Sequence, residues 1–335
     1  MQKPVVVIPN WNGGKELLDA IRSLQAQTLT PHIIVVDNAS TDGSPEKVLE
    51  QFPGVELITH LENKGYAGGV NPGFVRATEL GAPYVAPFND DATADKNWLE
   101  NLVQFLENHP SHGTACSKVL KDDGKTIDST GDYVTNWALP FPRGRDESDT
   151  GQYDLQTDIF AASGAASLFR VSALREVGLF DEDFFAYYED VDLGFRLQLA
   201  GWKVGFEPRA IVYHKIGMTS SRIKGFTTYQ TLKNLPLLWW KNMPRKYLFS
   251  TGVRLWLALS LFWARAVTRG QFLPATKGVI MAKFLMFKKA SERRHIQKTR
   301  EISDEVLWGL LVHDLPPNAK ALRSLRTKWR KLRGV

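Results

Sequence analysis

Three groups of acidic and polar residues have the types and spacing needed for chemistry. The first begins at Asp37, the second is Asn89-Asp90-Asp91, and the third runs from Glu189 to Asp192. The first two directly follow apolar runs typical of buried strands, and the third opens a segment with helical periodicity. Their chemistry suits nucleotide binding, divalent-cation binding and proton abstraction.

The acidic pair Asp90-Asp91 follows the apolar run Tyr84–Phe88. Adjacent carboxylates repel each other, and a divalent cation readily offsets that repulsion. Hard oxygen ligands suit Mg²⁺ or Mn²⁺, which usually keep water and bridge to substrate phosphates. Alternation along a strand places Asn89 and Asp91 on one side, so Asp91 is the favoured ligand. An ordinary acidic turn is the alternative.

Asp37 begins the turn-forming segment Asp-Asn-Ala-Ser-Thr-Asp-Gly-Ser at residues 37–44. A carboxylate at the carboxyl edge of a sheet can accept hydrogen bonds from the base or ribose of a nucleotide. The same composition is typical of a turn followed by a helix N-cap, so both interpretations remain open.

A glycine-rich segment, Asn-Lys-Gly-Tyr-Ala-Gly-Gly at residues 63–69, lies between a predicted strand and a predicted helix. Glycines let backbone amides approach an anion, and Lys64 could supply a positive charge for a diphosphate. The segment matches neither the P-loop nor the usual dinucleotide fingerprint. Its significance therefore depends on its neighbours.

The cluster Glu189-Asp190-Val191-Asp192 lies at a predicted helix start among aromatic residues. Carboxylates in a first helical turn are favoured by the helix dipole, which is the structural explanation. Aromatic surroundings could also desolvate one carboxylate and raise its basicity, making a general base for a sugar hydroxyl. His214 is by default a structural histidine, with a possible role as a third metal contact.

The first part of the chain alternates apolar runs with segments of helical periodicity. Runs at Val5–Ile8, Ile33–Val36, Val55–Thr59 and Tyr84–Phe88 predict strands, and apolar residues between 17 and 24 recur at helical spacing. This order predicts an α/β domain with a largely parallel sheet. Ligands of such sheets bind beyond the carboxyl ends of strands, so we expect the acidic groups to converge there.

The pattern changes further along the chain. Residues 140–155 lack periodicity and are rich in turn formers, which predicts a mobile surface loop. A strand is predicted at Ile159–Arg170, a helix at Glu189–Ala200, and further strands at Trp202–Phe206 and Ile211–His214.

The length of 335 residues fits one large α/β domain with an appendage, or two domains. With 43% hydrophobic and 23% charged residues, the composition excludes a disordered or collagen-like chain and a multi-span membrane protein. One cysteine, Cys116, cannot form an intrachain disulfide or a multi-thiolate metal site. The N-terminal run Val5–Ile8 is too short for a signal peptide, so we expect a cytosolic chain.

Charge is distributed unevenly along the chain. Residues 1–214 contain 17 Lys and Arg against 31 Asp and Glu, whereas residues 215–335 contain 25 against 5. Such asymmetry predicts two parts with different partners.

The basic part interleaves aromatic and cationic residues, as in Leu237–Lys241 and Lys283–Lys289. This mixture is typical of helices that lie at a membrane interface and attract anionic lipid. Its longest charge-free apolar run, Leu255–Ala264, is ten residues, against about 20 needed to cross a bilayer, so no transmembrane span is predicted.

Other interpretations of the basic part remain open. It could be a helical subdomain packed on the first part with a solvated basic face, and residues 320–333 could form a terminal helix or a disordered arm. Basic-aromatic sequences can also bind nucleic acid. However, no nucleic-acid module is recognisable, and the acidic first part would repel phosphates, so no nucleic-acid partner is expected.

In chain order, these segments resemble the inverting family 2 glycosyltransferases with the GT-A nucleotide-sugar fold, particularly bacterial rhamnosyltransferase-like members. The resemblance covers about residues 4–220, and the ordered set is far more specific than any single motif. Its segments are Pro9–Asn12, Asp37–Ser44, Glu62–Asn71, Asn89–Asp91, Gly164, Gly178–Glu182, Glu189–Asp192 and His214–Gly217. Asn89 replaces the first Asp of the metal motif, as in rhamnosyltransferase-like relatives, which leaves Asp91 as the main anchor.

The resemblance implies a Rossmann-like GT-A catalytic domain at residues 1–220, followed by a helical, basic region at 221–335. Mg²⁺ or Mn²⁺ on Asp91, helped by His214, would neutralise the leaving diphosphate. The residues implied to bind the nucleotide sugar are Pro9, Asn10, Trp11, Asn12, Asp37, Asn63, Lys64, Asn89 and Asp90.

The resemblance also implies a reaction. Asp190 would deprotonate the acceptor hydroxyl for a single in-line displacement that inverts the anomeric carbon, and Glu189 and Gly164 would contact the acceptor. The first expected donor is dTDP-rhamnose, and the second is a UDP-sugar such as UDP-galactofuranose. The expected acceptor is lipid-linked or a polysaccharide, at the cytosolic face of the membrane in cell-surface glycan synthesis.

Two alternatives belong to other functional classes. A nucleotidyltransferase shares the need for nucleotide and metal. A non-catalytic membrane-surface scaffold on a decayed transferase fold is the other, although intact Asp37, Asp91 and Asp190 argue against decay.

Overall fold

The computed structural model describes residues 2–215, 223–317, 319, 322–324 and 326. The chain divides into two compact units. The first comprises residues 1–132 and 142–224, and the second comprises residues 133–141 and 225–335. Residues 216–222, where the domain boundary is predicted, and most of the predicted terminal arm at 320–333 lie outside the described residues.

The first unit is an α/β domain. Its strands are β1 (Val5–Asn10), β2 (His32–Asp37), β3 (Glu56–Thr59), β4 (Tyr84–Pro87), β5 (Ala92–Ala94), β6 (His112–Lys121), β7 (Ile127–Ser129), β8 (Asp132–Val134), β9 (Pro140–Pro142), β10 (Asp158–Ile159), β11 (Ser167–Arg170) and β12 (Lys203–His214), of which β8 and β9 extend into the second unit. Its α-helices are α1 (Gly14–Gln25), α2 (Ser44–Gln51), α3 (Gly65–Glu79), α4 (Trp98–Asn108), α5 (Val171–Val177) and α6 (Glu189–Leu199).

Ten strands form one mixed sheet with the order β10-β12-β6-β11-β4-β1-β2-β3, with β5 paired to β12 and β7 paired to β6. Strands β4, β1, β2 and β3 are parallel, as are β6 and β12, whereas β11 is antiparallel to β4 and β6. In the β1–β2 register, Asn10 lies opposite Asp37. Both polar residues therefore stand at the carboxyl ends of neighbouring strands.

Burial explains why these segments become central strands. Every residue of β1 is buried, as are all residues of β2 after His32, because helices cover the faces of the sheet. The periodicity between residues 17 and 24 produces α1, whose apolar side chains join the core under β1 and β2. The short apolar runs thus place the polar residues that follow them at one edge of a rigid sheet.

The helix that carries the third acidic group is fixed by a buried arginine. Arg196 donates from Nε to Asp192 at 2.9 Å, and its remaining nitrogens donate to the carbonyl oxygens of Val177, Gly178 and Leu179. These bonds satisfy the last carbonyls of α5 and attach α6 to them. The position of Glu189 and Asp190, at the start of α6, is therefore set by the core.

The segment at residues 140–155, predicted as a mobile surface loop, is instead tied to the sheet. The side chain of Lys118, only 6% exposed in β6, pairs with Asp149 at 3.0 Å and with Asp154 at 2.8 Å. Buried Arg143 donates to Thr130 and lies over the ring of Phe206. A buried lysine needs such partners, and these bonds hold the segment in place.

Three further expectations need correction. The predicted strand at Ile159–Arg170 is two short strands, β10 and β11, because residues 160–166 between them form no continuous strand. The predicted strands around residues 202–206 and 211–214 are one strand, β12, with an irregular register between Glu207 and Ile211. Residues 133–141 belong to the second unit rather than to the predicted catalytic domain, because Asn136 and Val134 pair with Val312.

The second unit is helical, as expected for the C-terminal region. Its helices are α7 (Phe226–Asn242), α8 (Arg245–Thr268), α9 (Phe272–Lys288), α10 (Ala290–Thr299) and α11 (Asp304–Leu310). Buried Lys241 of α7 pairs with Glu292 of α10 at 2.7 Å, and Trp240 donates to the Met286 carbonyl oxygen of α9. Within the described residues, α8 is long and apolar enough to cross a membrane, a criterion that core helices of soluble proteins can also meet.

Gly65→Ala is expected to destabilise the chain more than Gly43→Ala. Both glycines have left-handed φ angles, +73° and +75°, so alanine is strained at either position by about 1 kcal/mol. A Cβ at Gly65 would also lie 2.3 Å from the Phe185 carbonyl oxygen, whereas a Cβ at Gly43 meets nothing within 4 Å. Urea unfolding should show a further loss of about 1–3 kcal/mol for Gly65→Ala. Equal losses would contradict this close approach.

Candidate active site

The first part of the site is a polar network at the ends of β1 and β2. The Asn10 amide donates to Asp37 Oδ1 at 2.9 Å and to the hydroxyls of Ser40 and Ser44 at 3.0 Å. The other oxygen of Asp37 accepts from the Ser40 backbone N–H at 3.2 Å. Asn10 and Asp37 are buried, so both the turn and the binding interpretations of Asp37 have a structural basis.

The β1–α1 loop extends this network. The side chain of Asn12 accepts from the Thr41 backbone N–H at 2.7 Å, and its own backbone N–H donates to Ser40 at 2.9 Å. Pro9 is buried in β1, and the backbone N–H of half-buried Trp11 donates to the Asp90 carboxylate. The predicted nucleoside-binding residues therefore form one continuous patch that reaches Asp90.

Asp90 lies in a constrained position between the β1–α1 loop and Asp91. Burial, and then repulsion from the Asp91 carboxylate, raise the pKa of Asp90 to about 7. A Cβ built on Gly13 would lie 2.8 Å from Asp90 Oδ2 and 2.6 Å from Asn10 Oδ1. Only a residue without a side chain fits between these oxygens at this turn.

The predicted metal contacts lie together. His214 Nε2 lies 2.9 Å from Asp91 Oδ1 and 3.1 Å from the Asn89 amide nitrogen, while His214 Nδ1 lies 2.9 Å from Asp128 Oδ2. Burial disfavours the imidazolium, but hydrogen bonds and attraction from Asp128 and Asp91 outweigh this and raise the pKa of His214 to about 9. The chain of contacts thus runs from Asp128 through the ring to Asp91.

A divalent cation fits the chemistry of this donor set. The buried Asn89 Oδ1 has no hydrogen-bond partner within the described part of the chain, and the nitrogen of the same amide lies 3.1 Å from His214 Nε2, which also contacts Asp91. The described residues hold no group of three or more His, Cys, Asp or Glu side chains suited to a metal. Two side chains and an amide oxygen suit an ion that takes its other ligands from phosphates and water.

The third acidic group begins α6. Asp190 Oδ2 accepts from the Gly164 backbone N–H at 2.9 Å, and Oδ1 accepts from the Val191 N–H at 2.8 Å. Burial raises the pKa of Asp190 above its ordinary value, although these backbone bonds act in the opposite direction. Asp190 is therefore a carboxylate in a fixed orientation with increased basicity. Glu189, beside it, is also buried.

Tyr66 links the metal side of the site to Asp190. Its hydroxyl donates to the Gly164 carbonyl oxygen. Burial, and then the charges of Glu189, Asp190, Asp90 and Asp91, hold the pKa of Tyr66 well above its usual range. All four carboxylates therefore lie near enough to this phenol for their charges to act on it, so the second and third acidic groups are neighbours.

Asn63 and Lys64 lie at the edge of the network. Asn63 accepts from the Gly65 N–H at 2.8 Å, while Asn38, which follows Asp37, donates to the Gly65 carbonyl oxygen at 3.0 Å. Lys64 is exposed, and its stem lies over Gly68 at the start of α3. An exposed cation at a helix N-terminus is compatible with the predicted phosphate contact.

Three charged residues of the site, Asp128, Asp132 and Arg145, carry no signal in the sequence. Asp128 contacts His214, Asp132 interacts electrostatically with Asp190, and Arg145 pairs with Asp128 at 2.7 Å. Burial, and then the charge of Asp190, raise the pKa of Asp132, and Arg145 acts against both shifts. Asp128 and Asp132 follow no strong apolar run, and Arg145 lies in the predicted mobile loop, so no local signal marks them.

Comparison with known proteins identifies the family. Residues 5–178, more than half of the chain, match the family described as Glycosyl transferase family 2, and the chain belongs to this family. This confirms the predicted family.

The chain is similar to a characterised transferase and to solved structures. It is 30% identical over 239 residues to N-acetylglucosaminyl-diphospho-decaprenol L-rhamnosyltransferase of Mycobacterium tuberculosis, covering 65% of this chain and 78% of that protein. GalNAc-T7 with UDP, GalNAc and Mn²⁺ is 16% identical with a TM-score of 0.58, over 74% of this chain and 49% of that chain. Mannosyltransferase PcManGT from Pyrobaculum calidifontis, in complex with GDP-Man and Mn²⁺, is 17% identical with a TM-score of 0.53. This match covers 89% of this chain and 83% of that chain. These structures confirm the predicted GT-A fold.

Asp132→Asn is expected to gain stability relative to the wild type as the pH rises. The pKa of Asp132 in the folded chain is about 8, above the ordinary value near 4, so the folded chain keeps a proton that the unfolded chain releases. Stability is therefore lost between about pH 4 and pH 8, and asparagine removes this loss. Urea unfolding at about pH 5 and pH 8 should show a relative gain of about 1 kcal/mol or more.

Asp123→Asn is the control for this measurement. Hydrogen bonds from Thr126 and Lys125 lower the pKa of Asp123 to about 2, so its folded and unfolded values both lie below the range tested. Its stability difference from the wild type should stay constant between the two pH values. A constant difference for Asp132→Asn as well would contradict the raised pKa.

Proposed function

We propose that this family 2 glycosyltransferase moves a sugar from a nucleoside diphosphate donor to a lipid-linked or polysaccharide acceptor, with inversion at the anomeric carbon. The observation that carries the proposal is Asp190, a buried carboxylate with a raised pKa, held by two backbone N–H groups. It shares the Tyr66 phenol with Asp90 and Asp91. A basic group therefore lies across a common space from the candidate phosphate and metal side.

The donor would bind along the ends of β1, β2 and β4. The Asn10–Asp37 network, together with Pro9, Trp11 and Asn12, would contact the nucleoside, since its carboxylate and backbone groups match base and ribose donors and acceptors. Lys64 and Asn63 would lie near the diphosphate at the start of α3. Asn89 and Asp90 would complete the nucleotide-sugar contacts.

Asn89, Asp91 and His214 would hold Mg²⁺ or Mn²⁺. When bound, the ion would neutralise charge that develops on the leaving diphosphate. The support is the unpartnered oxygen of the Asn89 amide, whose nitrogen contacts the His214 of the Asp91–His214 pair, and the Mn²⁺ in the two solved structures.

Asp190 would act as the general base. The acceptor oxygen forms a bond to the anomeric carbon, the bond from that carbon to the diphosphate oxygen breaks, and the hydroxyl proton moves to the Asp190 carboxylate. The N–H groups of Gly164 and Val191 fix the carboxylate for this transfer, and the raised pKa strengthens it as a base. Glu189, one residue before it, would orient the acceptor.

The first proposed donor is dTDP-rhamnose, and the alternative is a UDP-sugar such as UDP-galactofuranose. The support for rhamnose is the similarity to the mycobacterial L-rhamnosyltransferase, whose name also indicates a lipid-linked acceptor. A thermal-shift panel of nucleotide sugars with and without Mn²⁺ tests the donor, because a ligand that binds only the folded state raises its melting temperature.

Asp190→Asn is expected to lower kcat by about 10²–10⁴-fold, because asparagine cannot accept the hydroxyl proton. Donor affinity, measured by calorimetry, should change little, since Asp190 lies on the acceptor side. Asp122→Asn, an exposed carboxylate in the turn after β6, is the matched control and should retain activity. Unchanged turnover in Asp190→Asn would refute its role as base.

A separate outcome concerns the class of enzyme. If the wild-type chain released inorganic diphosphate without forming a glycosylated product, a nucleotidyltransferase would be favoured.

We also propose that the helical unit binds the cytoplasmic face of the membrane. Helices α8 and α9 contain seven Lys and Arg residues and no Asp or Glu. Large apolar side chains on them are exposed, namely Phe249, Val253, Leu257, Phe272, Leu273, Ile280, Met281, Phe284 and Phe287. Exposed aromatic and aliphatic groups on helices that carry cations and no acidic residues match the chemistry of an anionic lipid surface.

The double variant Phe284→Ser/Phe287→Ser tests this surface. These rings are 62% and 85% exposed, and each buried phenylalanine would contribute about 1.5–3 kcal/mol to binding. Co-sedimentation with phosphatidylglycerol vesicles at low salt should fall by about tenfold or more. The control is Leu61→Ser, a fully exposed apolar residue of the first unit, which should bind like the wild type. Wild-type protein that stays in the supernatant would contradict the proposal.

A further inference from the structure

His214 is the one predicted metal contact whose orientation depends on a residue that the sequence does not mark. Its Nδ1 lies 2.9 Å from Asp128 Oδ2, and its Nε2 faces Asp91 and Asn89. A histidine that binds a metal through one ring nitrogen usually donates its other N–H to a carboxylate, which fixes the tautomer and the ring orientation. Asp128 stands in that position.

Asp128 is itself held firmly. Its side chain is only 4% exposed, Arg145 Nη2 lies 2.7 Å from its other carboxylate oxygen, and Arg145 Nε donates to its backbone carbonyl at 3.0 Å. The preceding residue, Ile127, donates its backbone N–H to the Glu147 carbonyl oxygen and accepts from the Asp146 N–H. The arginine and this backbone pairing hold the Asp128 carboxylate with Oδ2 toward the histidine.

We propose that Asp128, clamped by Arg145, is a positioning residue that presents His214 Nε2 to a divalent cation. The proposal rests on the metal site of the proposed function and adds the groups that orient it. Asp128 does not touch the ion. It accepts the Nδ1–H of His214, so the lone pair of Nε2 points toward Asp91 and the Asn89 amide.

Asparagine at position 128 tests this directly. Aspartate offers two acceptor oxygens to two donors, Arg145 and His214, whereas asparagine has one acceptor and one amide donor. Either the ion pair with Arg145 or the contact with His214 must therefore be lost, and an amide turned toward His214 would favour the wrong tautomer. Substitution of such orienting carboxylates typically weakens metal binding by about 10–100-fold.

The measurement is Mn²⁺ affinity of the full chain by electron paramagnetic resonance, with Mn²⁺ alone and with Mn²⁺ plus inorganic diphosphate. Asp128→Asn should weaken binding by about 10–100-fold, and Arg145→Gln, which frees Asp128 without removing it, by a smaller factor. The control is Asp158→Asn, which breaks an Asp–His contact away from His214, Asp158 Oδ1 to His112 Nε2 at 3.0 Å. It should leave Mn²⁺ affinity unchanged.

The Mn²⁺ affinities of the variants separate the positioning role of Asp128 from the existence of the metal site. Unchanged affinity in both Asp128→Asn and Arg145→Gln, with Asp91→Asn weakened, would overturn the positioning role and leave the metal site intact. A wild-type chain that binds no Mn²⁺ would overturn the metal site and this inference with it, while transfer and its dependence on Asp190 could still be measured. Since Arg145 is half-exposed, its variant keeps the test valid if Asp128→Asn unfolds.

Discussion

The burial of carboxylates at the candidate active site is the constraint on which the catalytic unit depends. Asp90, Asp132 and Asp190 all have raised pKa values because burial penalises their charged forms. Moving a charge out of water costs several kcal/mol unless a partner compensates it, so an array of this kind must be balanced locally. The balance comes from backbone N–H groups, from Arg145, and from a histidine with a raised pKa between two carboxylates. A divalent cation in the same place would extend it.

The backbone supplies the geometry for this balance through strained turns. Phe185, Tyr187 and Tyr188 have φ angles of 63°, 69° and 72°, in a region that costs non-glycine residues about 1–3 kcal/mol each. They form the turn that leads directly into Glu189 and Asp190. The Phe185 carbonyl oxygen lies close to Gly65 and accepts from the Ala67 N–H, so α3 and this turn are packed against each other. The core contacts of α6 therefore stabilise a turn that would be unfavourable alone.

Sequence predicts the parts of the site that local patterns encode. Asp37, Asp91 and Asp190 each follow a short apolar run or open a periodic segment, so their place at strand ends and a helix start is a local signal. Asp128 contacts a histidine 86 residues away, and its edge strand is too short to produce a pattern. Residues 140–155 look like a mobile loop because the lysine that anchors them, Lys118, lies in another strand. Interactions between distant segments thus explain what the sequence misses.

The central claim is a single displacement at the anomeric carbon with Asp190 as base. The most direct measurement is the anomeric configuration of the product by proton NMR, using the nucleotide sugar that the chain accepts. The account predicts a configuration opposite to that of the donor, because one attack from the far side of the leaving diphosphate inverts the carbon. A product that retains the donor configuration would require a different arrangement of groups and would contradict the account.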